Sequence, residues 1–173
     1  MNKFNFCPKC GCKDIVSLDR KWICGKCGFE LYNNVASAVG LIIQDKEGKI
    51  LFEVRKKEPR KGFLAFPGGF TDPGETAEEA CFRECREELG VEIKNLRYVG
   101  SFPNTYEYNG ILYKTCDLFF EAELEDNASM VLQKDEVSDI KKVPVNSIED
   151  VNHIPLAFKS ASEILKVWVK SAK

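Results

Sequence analysis

A chain of 173 residues, 44% of them hydrophobic, is long enough for one ordinary core plus a small extra module. Its net charge of −2 gives the whole chain no electrostatic case for nucleic acid or an anionic membrane. No apolar run approaches the roughly 20 residues of a membrane span, and the opening MNKFNFCPKC lacks a signal peptide's apolar core, so a cytoplasmic location is expected.

The first motif is a pair of cysteine knuckles. Cys7, Cys10, Cys24 and Cys27 stand in CPKCG and CGKCG, with 13 residues between the two. Gly11 and Gly28 follow the knuckles and allow turns whose N–H groups point at sulfur. Four thiolates at this spacing can close a tetrahedral Zn²⁺ site. Two other uses stay open: a redox pair, which normally sits in a βαβ unit that this segment lacks, or disulfides, which a reducing compartment disfavours. Residues 1–33 bury too little apolar surface to fold without a metal, so a small zinc ribbon is expected there and a second domain over 34–173. The ribbon carries +3 before its thiolates are counted and about +1 with four thiolates and one Zn²⁺. Trp22 and Phe29 are expected to pack it onto the next domain, with stacking on bases the alternative. Cys12 is a possible substitute ligand. Cys81, Cys85 and Cys116 lie in apolar surroundings and read as inert core thiols.

After Asn33-Asn34, residues 35–44 (VASAVGLIIQ) and 49–57 (KILFEVRKK) read as strands joined by the turn Asp45-Lys46-Glu47-Gly48. A basic cluster follows: Arg55, Lys56, Lys57, Arg60 and Lys61. It is either a solvated loop or a set of phosphate contacts, with Arg55 and Arg60 the selected substrate contacts. Pro67-Gly68-Gly69 lets the backbone turn tightly beside a ligand.

Residues 69–91, GFTDPGETAEEACFRECREELGV, lead from a loop into a helix. Thr76 and Glu79 form a capping box, and Gly90 stands where a helix-ending glycine belongs. At about 100° per residue, Cys81, Phe82, Cys85 and Leu89 make a core stripe, while Glu79, Arg83 and Arg86 form a wet face. Glu84, Glu87 and Glu88 fall on a third flank with Ala77 and Ala80. Three like charges on one flank repel. They make sense around a hard cation such as Mg²⁺, or else as a solvated charged face.

Downstream, residues 95–102 and 112–123 read as strands, with Tyr106-Glu107-Tyr108-Asn109-Gly110 as the turn between them. Tyr106 is a candidate to stack on a base. Residues 125–134 read as a polar loop, 137–143 as a strand, and 155–169 as an amphipathic helix whose apolar side holds Leu156, Phe158, Ala161, Ile164, Leu165 and Trp168. His153, the only histidine, reads as a structural or solvated loop residue.

Gly69, Glu75, Arg83, Glu84, Glu87, Glu88 and Gly90 occupy every fixed position of the pattern G-x5-E-x7-R-E-U-x-E-E-x-G-U, with Cys85 in place of one bulky aliphatic. The chain thus resembles the Nudix hydrolase family. By chance such a match arises on the order of once in 10⁸ to 10⁹ registers. The resemblance implies an α/β/α sandwich around a mixed sheet, preceded here by the zinc ribbon. It implies Mg²⁺ or Mn²⁺ held by Glu84, Glu87, Glu88 and the Gly69 carbonyl, with Arg83 bracing Glu75. Glu84 would orient or deprotonate a water, with Glu136 as a further ligand or base. It also implies a nucleotide-type small-molecule partner; charge and hydropathy argue against a membrane or nucleic-acid partner, and a homodimer is a further expectation. The ribbon arrangement is similar to that of the family's NADH pyrophosphatases, but their S-Q-P-W-P-F-P-x-S motif is missing, since 101–106 read SFPNTY. Three functions follow. The first is hydrolysis of a nucleoside diphosphate linked to another group, of ADP-ribose or dinucleotide type. The second is pyrophosphohydrolysis of (d)NTPs, and the third a non-catalytic metabolite sensor, which would not need all three glutamates.

Overall fold

The computed structural model describes residues 4–124 and 130–171, so part of the expected 125–134 loop lies outside the described residues. The N-terminal segment folds on its cysteine turns. Gly11 and Gly28 adopt φ of 71° and 68°, and their N–H groups donate to the Cys7 and Cys24 carbonyls at 2.8 and 2.9 Å. Strands β1 (Ile15–Ser17), β2 (Lys21–Cys24) and β3 (Glu30–Tyr32) pair antiparallel in that order. Trp22 meets Phe4 edge-on at 4.7 Å and shares the ribbon's interior with Phe29, Ile15 and Leu31. This corrects the expectation that Trp22 and Phe29 dock the ribbon on its neighbour: so short a segment needs its few large apolar groups for its own interior.

The second sheet is mixed and six-stranded. It comprises β4 (Ala36–Gln44), β5 (Lys49–Arg55), β6 (Leu64–Ala65), β7 (Ile93–Tyr108), β8 (Ile111–Leu124) and β9 (Val137–Pro144). The order is β6-β5-β4-β8-β7, with β9 on β5; β4 and β8 run parallel and the other pairs antiparallel. Helices cover both faces. Helix α1 (Ala77–Glu84) continues into a π-helical turn, Cys85–Leu89, while α2 (Ile148–His153) and α3 (Lys159–Ser171) lie on the opposite side. Strand alternation sorts the core between them. Val39, Leu41, Ile43 and Leu51 pack on Ala80, Cys81, Cys85 and Leu89. Ile42, Ile50, Phe52 and Phe119 pack on Ile164, Leu165 and Trp168. Each fully buried Leu, Ile or Phe is worth about 1.5–3 kcal/mol, so both helices are fixed by their apolar stripes. Burial pushes the Cys81 thiol up to about 12, consistent with an inert core group.

The sequence misjudges three boundaries. Tyr106 and Tyr108 belong to strand β7, opposite Tyr113 and Ile111, because Asn109 and Gly110 (φ 50° and 75°) make the whole turn in two residues. The terminal helix starts at Lys159: residues 155–157 instead bond to the sheet edge, where Leu64 N–H donates to the Pro155 carbonyl and Ala157 N–H to that of Leu64. Helix α2, capped by Ser147 and Asp150, goes unread, and His153 is its exposed last residue rather than part of a loop.

Strands β4 and β5 pair at Gln44↔Ile50 and then part. The segment 64–70 fills the gap: Leu64 and Ala65 pair with β5, while Val39 and Leu41 of β4 donate to the Gly69 and Pro67 carbonyls at 2.8 and 2.9 Å. A cavity of about 430 Å³ opens there.

Candidate active site

Helix α1 begins as its sequence dictates. Thr76 Oγ1 accepts from Glu79 N–H at 3.2 Å, and Glu79 Oε2 accepts from Thr76 N–H at 2.7 Å. Gly90, at φ 67°, ends the π turn. Arg83 is drawn inward, correcting its place on a wet face. Its Nη2 donates to Glu75 at 2.6 Å, and its Nη1 to Glu84 at 2.9 Å and Glu87 at 3.2 Å. The Arg83 hydrogen bond holds Glu75 below the usual carboxylate range.

The expected flank of three glutamates divides. Glu84 and Glu88 are buried and line the cavity. The Glu87 side chain is 52% exposed, against 10% for Glu84, and lies outside the cavity wall. A wheel at constant angle assumes α-helical winding throughout. The π turn from Cys85 to Leu89 is wider, which changes the angle at which Glu87 and Glu88 leave the axis.

Glu88 Oε2 accepts from Gly68 N–H at 2.7 Å. Gly69 touches Glu84 so closely that a Cβ there would lie 2.5 Å from its Oε1, so glycine is needed to leave the carboxylate in place. The Gly69 carbonyl, an expected metal ligand, accepts from Val39 N–H and keeps one lone pair.

The residue the sequence reading missed here is Glu53. It lies on the β5 face that also presents Leu51 toward α1, is 5% exposed, and hydrogen-bonds Glu88. Its Oε1 is buried with no hydrogen-bond partner among the described residues. Burial pushes the Glu53 carboxyl up to about 8 against the pull of its bond to Glu88. Burial raises Glu88 well above its ordinary value too, reinforced by the charges of Glu53 and Glu84; burial raises Glu84 against the pull of Arg83. The only local signal is faint: alternation puts Glu53 on the same strand face as the apolar Leu51, between Lys49 and Arg55. Three buried carboxylates with an orphaned oxygen, beside a glycine that leaves space, fit a hard divalent cation.

The rest of the cavity suits a ligand. Arg55 lines it, with its guanidinium 5.1 Å over the Phe158 ring and its Nε donating to the Pro59 carbonyl at 2.9 Å. Tyr106 lines it too, 5.8 Å from Phe158 between ring centres. Glu136 stands in the wall, paired with Lys57 at 3.2 Å. Arg60 does not line the cavity; its guanidinium lies 5.8 Å over Phe63. Also unread were Thr115, Asp117 and Ser160, all buried and all in the wall.

In the ribbon, the Cys7–Cys27 and Cys10–Cys24 Sγ pairs stand 3.8 and 3.7 Å apart. A tetrahedron with Zn–S bonds of about 2.3 Å has edges of about 3.8 Å. All four sulfurs lie within 4.8 Å of one another, the only such grouping of potential ligands among the described residues. Cys12 is outside it, accepting from Asp14 N–H at 3.4 Å. The Cys27 N–H brings the Cys24 thiol down to about 6, with help from that of Lys26 and against the cost of burial. The donor set therefore fits a zinc ribbon.

A sandwich whose central strands part around a glycine segment, with a capped helix delivering carboxylates into the gap, defines a particular class. The NUDIX domain pattern matches residues 35–166, and the chain belongs to the Nudix family. It is 28% identical over 169 residues to the NAD-capped RNA hydrolase NudC of Pseudomonas putida (strain F1), covering 95% of this chain and 55% of that protein. It is 47% identical over 78 residues to the ADP-ribose pyrophosphatase of Methanocaldococcus jannaschii, covering 44% of this chain and 46% of that one. The chain spans about half the length of these curated relatives. Among solved structures it is similar to a NUDIX hydrolase from Nitrosomonas europaea (TM-score 0.68, 23% identity, 96% of this chain and 90% of that one). It is also similar to the NUDIX domain of Shewanella oneidensis NrtR complexed with ADP ribose (TM-score 0.64, 21% identity, 82% and 91%). At these identities the structural likeness carries the fold alone. No helix among the described residues is long and apolar enough to cross a membrane.

Proposed function

We propose that this chain is a divalent-metal-dependent pyrophosphohydrolase acting on a nucleoside diphosphate linked to a second moiety, of ADP-ribose or dinucleotide type. The observation that carries this reading is the juxtaposition of Glu53, Glu84 and Glu88 with an aromatic and basic cavity wall. ADP-ribose and the NAD cap of an RNA, the substrates named for the relatives, both contain an adenosine diphosphate joined to a second ribose through phosphate, which supports that substrate type. Glu84, Glu88 and Glu53 would hold Mg²⁺ or Mn²⁺, with Glu87 and the Gly69 carbonyl at the outer side. Such an ion would neutralise charge on the bridging phosphates and ease deprotonation of the attacking water. Glu84 would orient the attacking water, and Glu84 or Glu136, both in the cavity wall, would accept its proton. Arg83 keeps the loop carrying Glu75 against the helix. Arg55 binds a phosphate, and Tyr106 with Phe158 holds the base by stacking. Cys7, Cys10, Cys24 and Cys27 hold a Zn²⁺ that folds residues 1–33 as a structural unit beside the 34–173 domain.

The test is incubation with Mg²⁺ and a panel of ADP-ribose, dinucleotides, nucleotide sugars and NTPs in ¹⁸O-water, with products identified. Cleavage of the linked diphosphates with label in a phosphate product is expected. Cleavage of NTPs alone would favour a nucleotide-pool enzyme, and no cleavage would leave a binding protein.

A further inference from the structure

On the α3 side of the same cavity lies a second polar cluster, separate from the acidic one. Thr115, Asp117 and Phe119 alternate along one face of β8, and Phe119 packs among the residues that face α3. Asp117 is 9% exposed. Thr115 Oγ1 donates to its Oδ1 and Ser160 Oγ to its Oδ2, both at 2.6 Å. Thr115 and Ser160 are themselves 3% and 1% exposed, and all three residues line the cavity.

The two hydroxyl protons are committed to the carboxylate, so the cluster offers a ligand lone pairs and no strong donor. Each Asp117 oxygen has one lone pair taken and one to spare. No ion pair engages Asp117 among the described residues. Each oxygen is satisfied by one donor, and because Asp117 lines the cavity its spare lone pairs are open to a donor on a bound ligand. Beside it stands an aromatic wall: Ser160 is two residues from Phe158, whose ring meets Tyr106. A flat ring lying on that wall presents its edge, not its face, to groups at its side. An edge bearing a carbonyl would set acceptor against acceptor; an edge bearing an amino group would donate.

We propose that Asp117 is a specificity-determining residue that accepts a hydrogen bond from the exocyclic amino group of the substrate's nucleobase, with Thr115 and Ser160 as positioning residues that fix its carboxylate. This deepens the proposed function and rests on it for the nucleobase held by Tyr106 and Phe158 and for the identity of the cleaved bond. A bond from a neutral donor to a buried carboxylate supports a preference of about 10- to 100-fold.

The experiment compares ADP-ribose with its 6-deamino (purine) analogue as Mg²⁺-dependent substrates. In parallel, adenosine and purine riboside are titrated against tyrosine fluorescence without metal. Wild type should favour the amino-bearing compound about 10- to 100-fold in both measurements. Asp117→Asn should erase that preference, and Thr115→Val, which keeps the carboxylate and removes one of its donors, should reduce it at an unchanged melting temperature. Equal handling of both compounds by wild type, or equal losses for both on Asp117→Asn, would overturn the inference. Failure of both nucleosides to bind would overturn it as well. Preferential binding of adenosine with no hydrolysis of any diphosphate would sink the enzymatic reading and leave this one standing.

Discussion

The two metal-competent regions of this chain are built in opposite ways. In the ribbon, four sulfurs already stand within 4.8 Å of one another, close to the corners of a Zn²⁺ tetrahedron, on turns closed by backbone hydrogen bonds. At the head of the large sheet, Glu84 and Glu87 are shared with Arg83, Glu53 and Glu88 hydrogen-bond each other, and one buried oxygen has no partner. A closed all-protein ligand set suits a permanent structural ion. An incomplete carboxylate set, completed by waters and substrate oxygens, suits an exchangeable catalytic one. On the proposed function, the contrast teaches that gathered ligands mark a structural metal site and buried, uncompensated charge an exchangeable catalytic one.

The sharpest way to break this contrast is to remove one ligand from each region. Glu84→Gln or Glu88→Gln should lower kcat by at least about 10²-fold, with a melting temperature equal to or above wild type in chelator. Cys24→Ser should do the reverse: amide exchange protection across β1–β3 collapses, while turnover stays within about threefold, because the ribbon's interior is its own. Steady-state kinetics and hydrogen-exchange mass spectrometry on the same samples decide it. Collapse of turnover in Cys24→Ser would mean the ribbon completes the site.

A smaller effect comes from pH. Glu53 binds a proton up to about 8 in the folded chain, against an ordinary value of 4.5, and Glu88 is raised as well. The folded state therefore holds more protons than the unfolded one across that window. Their contribution is fully present below the ordinary carboxylate value and is lost as pH rises through the folded one. In chelator the melting temperature of wild type should fall relative to Glu53→Gln between pH 5.5 and 8.5, by about 3–8 °C. Saturating Mg²⁺ should remove the difference in slope. Parallel thermal melts of the two proteins would show it, and identical slopes would mean that Glu53 is solvated.

Legibility in the sequence followed the same divide. The cysteine knuckles and the capping box were readable because each depends on neighbours at fixed short spacing, whereas the Arg83–Glu75 brace and the two-faced sheet followed from the family resemblance. The burial of Glu88 without Glu87 was not, since nothing local in CREEL announces a π turn. Glu53 and Asp117 were missed for a different reason. Each is one acidic residue in a strand, and its importance comes from partners 35 and 43 positions away, Glu88 and Ser160, that only the folded sheet brings near. Arg60 shows the converse: its place in a basic run suggested a phosphate contact, but φ 66° and the Phe63 ring direct it elsewhere.

The smallest effect concerns how α1 is anchored. Thr76→Ala removes the acceptor for Glu79 N–H, a cap worth about 1 kcal/mol, so the melting temperature should fall by about 2–4 °C. Two other contacts hold the glutamate-bearing end of the helix: Glu88 to Gly68, and Arg83 to Glu75. Both lie closer to the carboxylates than the cap does, so kcat well below the melting point should change less than twofold. A larger fall in kcat at an unchanged melting temperature would show that the cap, rather than the glycine segment between β4 and β5, sets the position of Glu84. The ribbon offers no counterpart to this separation: there the turns that close the backbone are the turns that carry the ligands, and a change to either is a change to both.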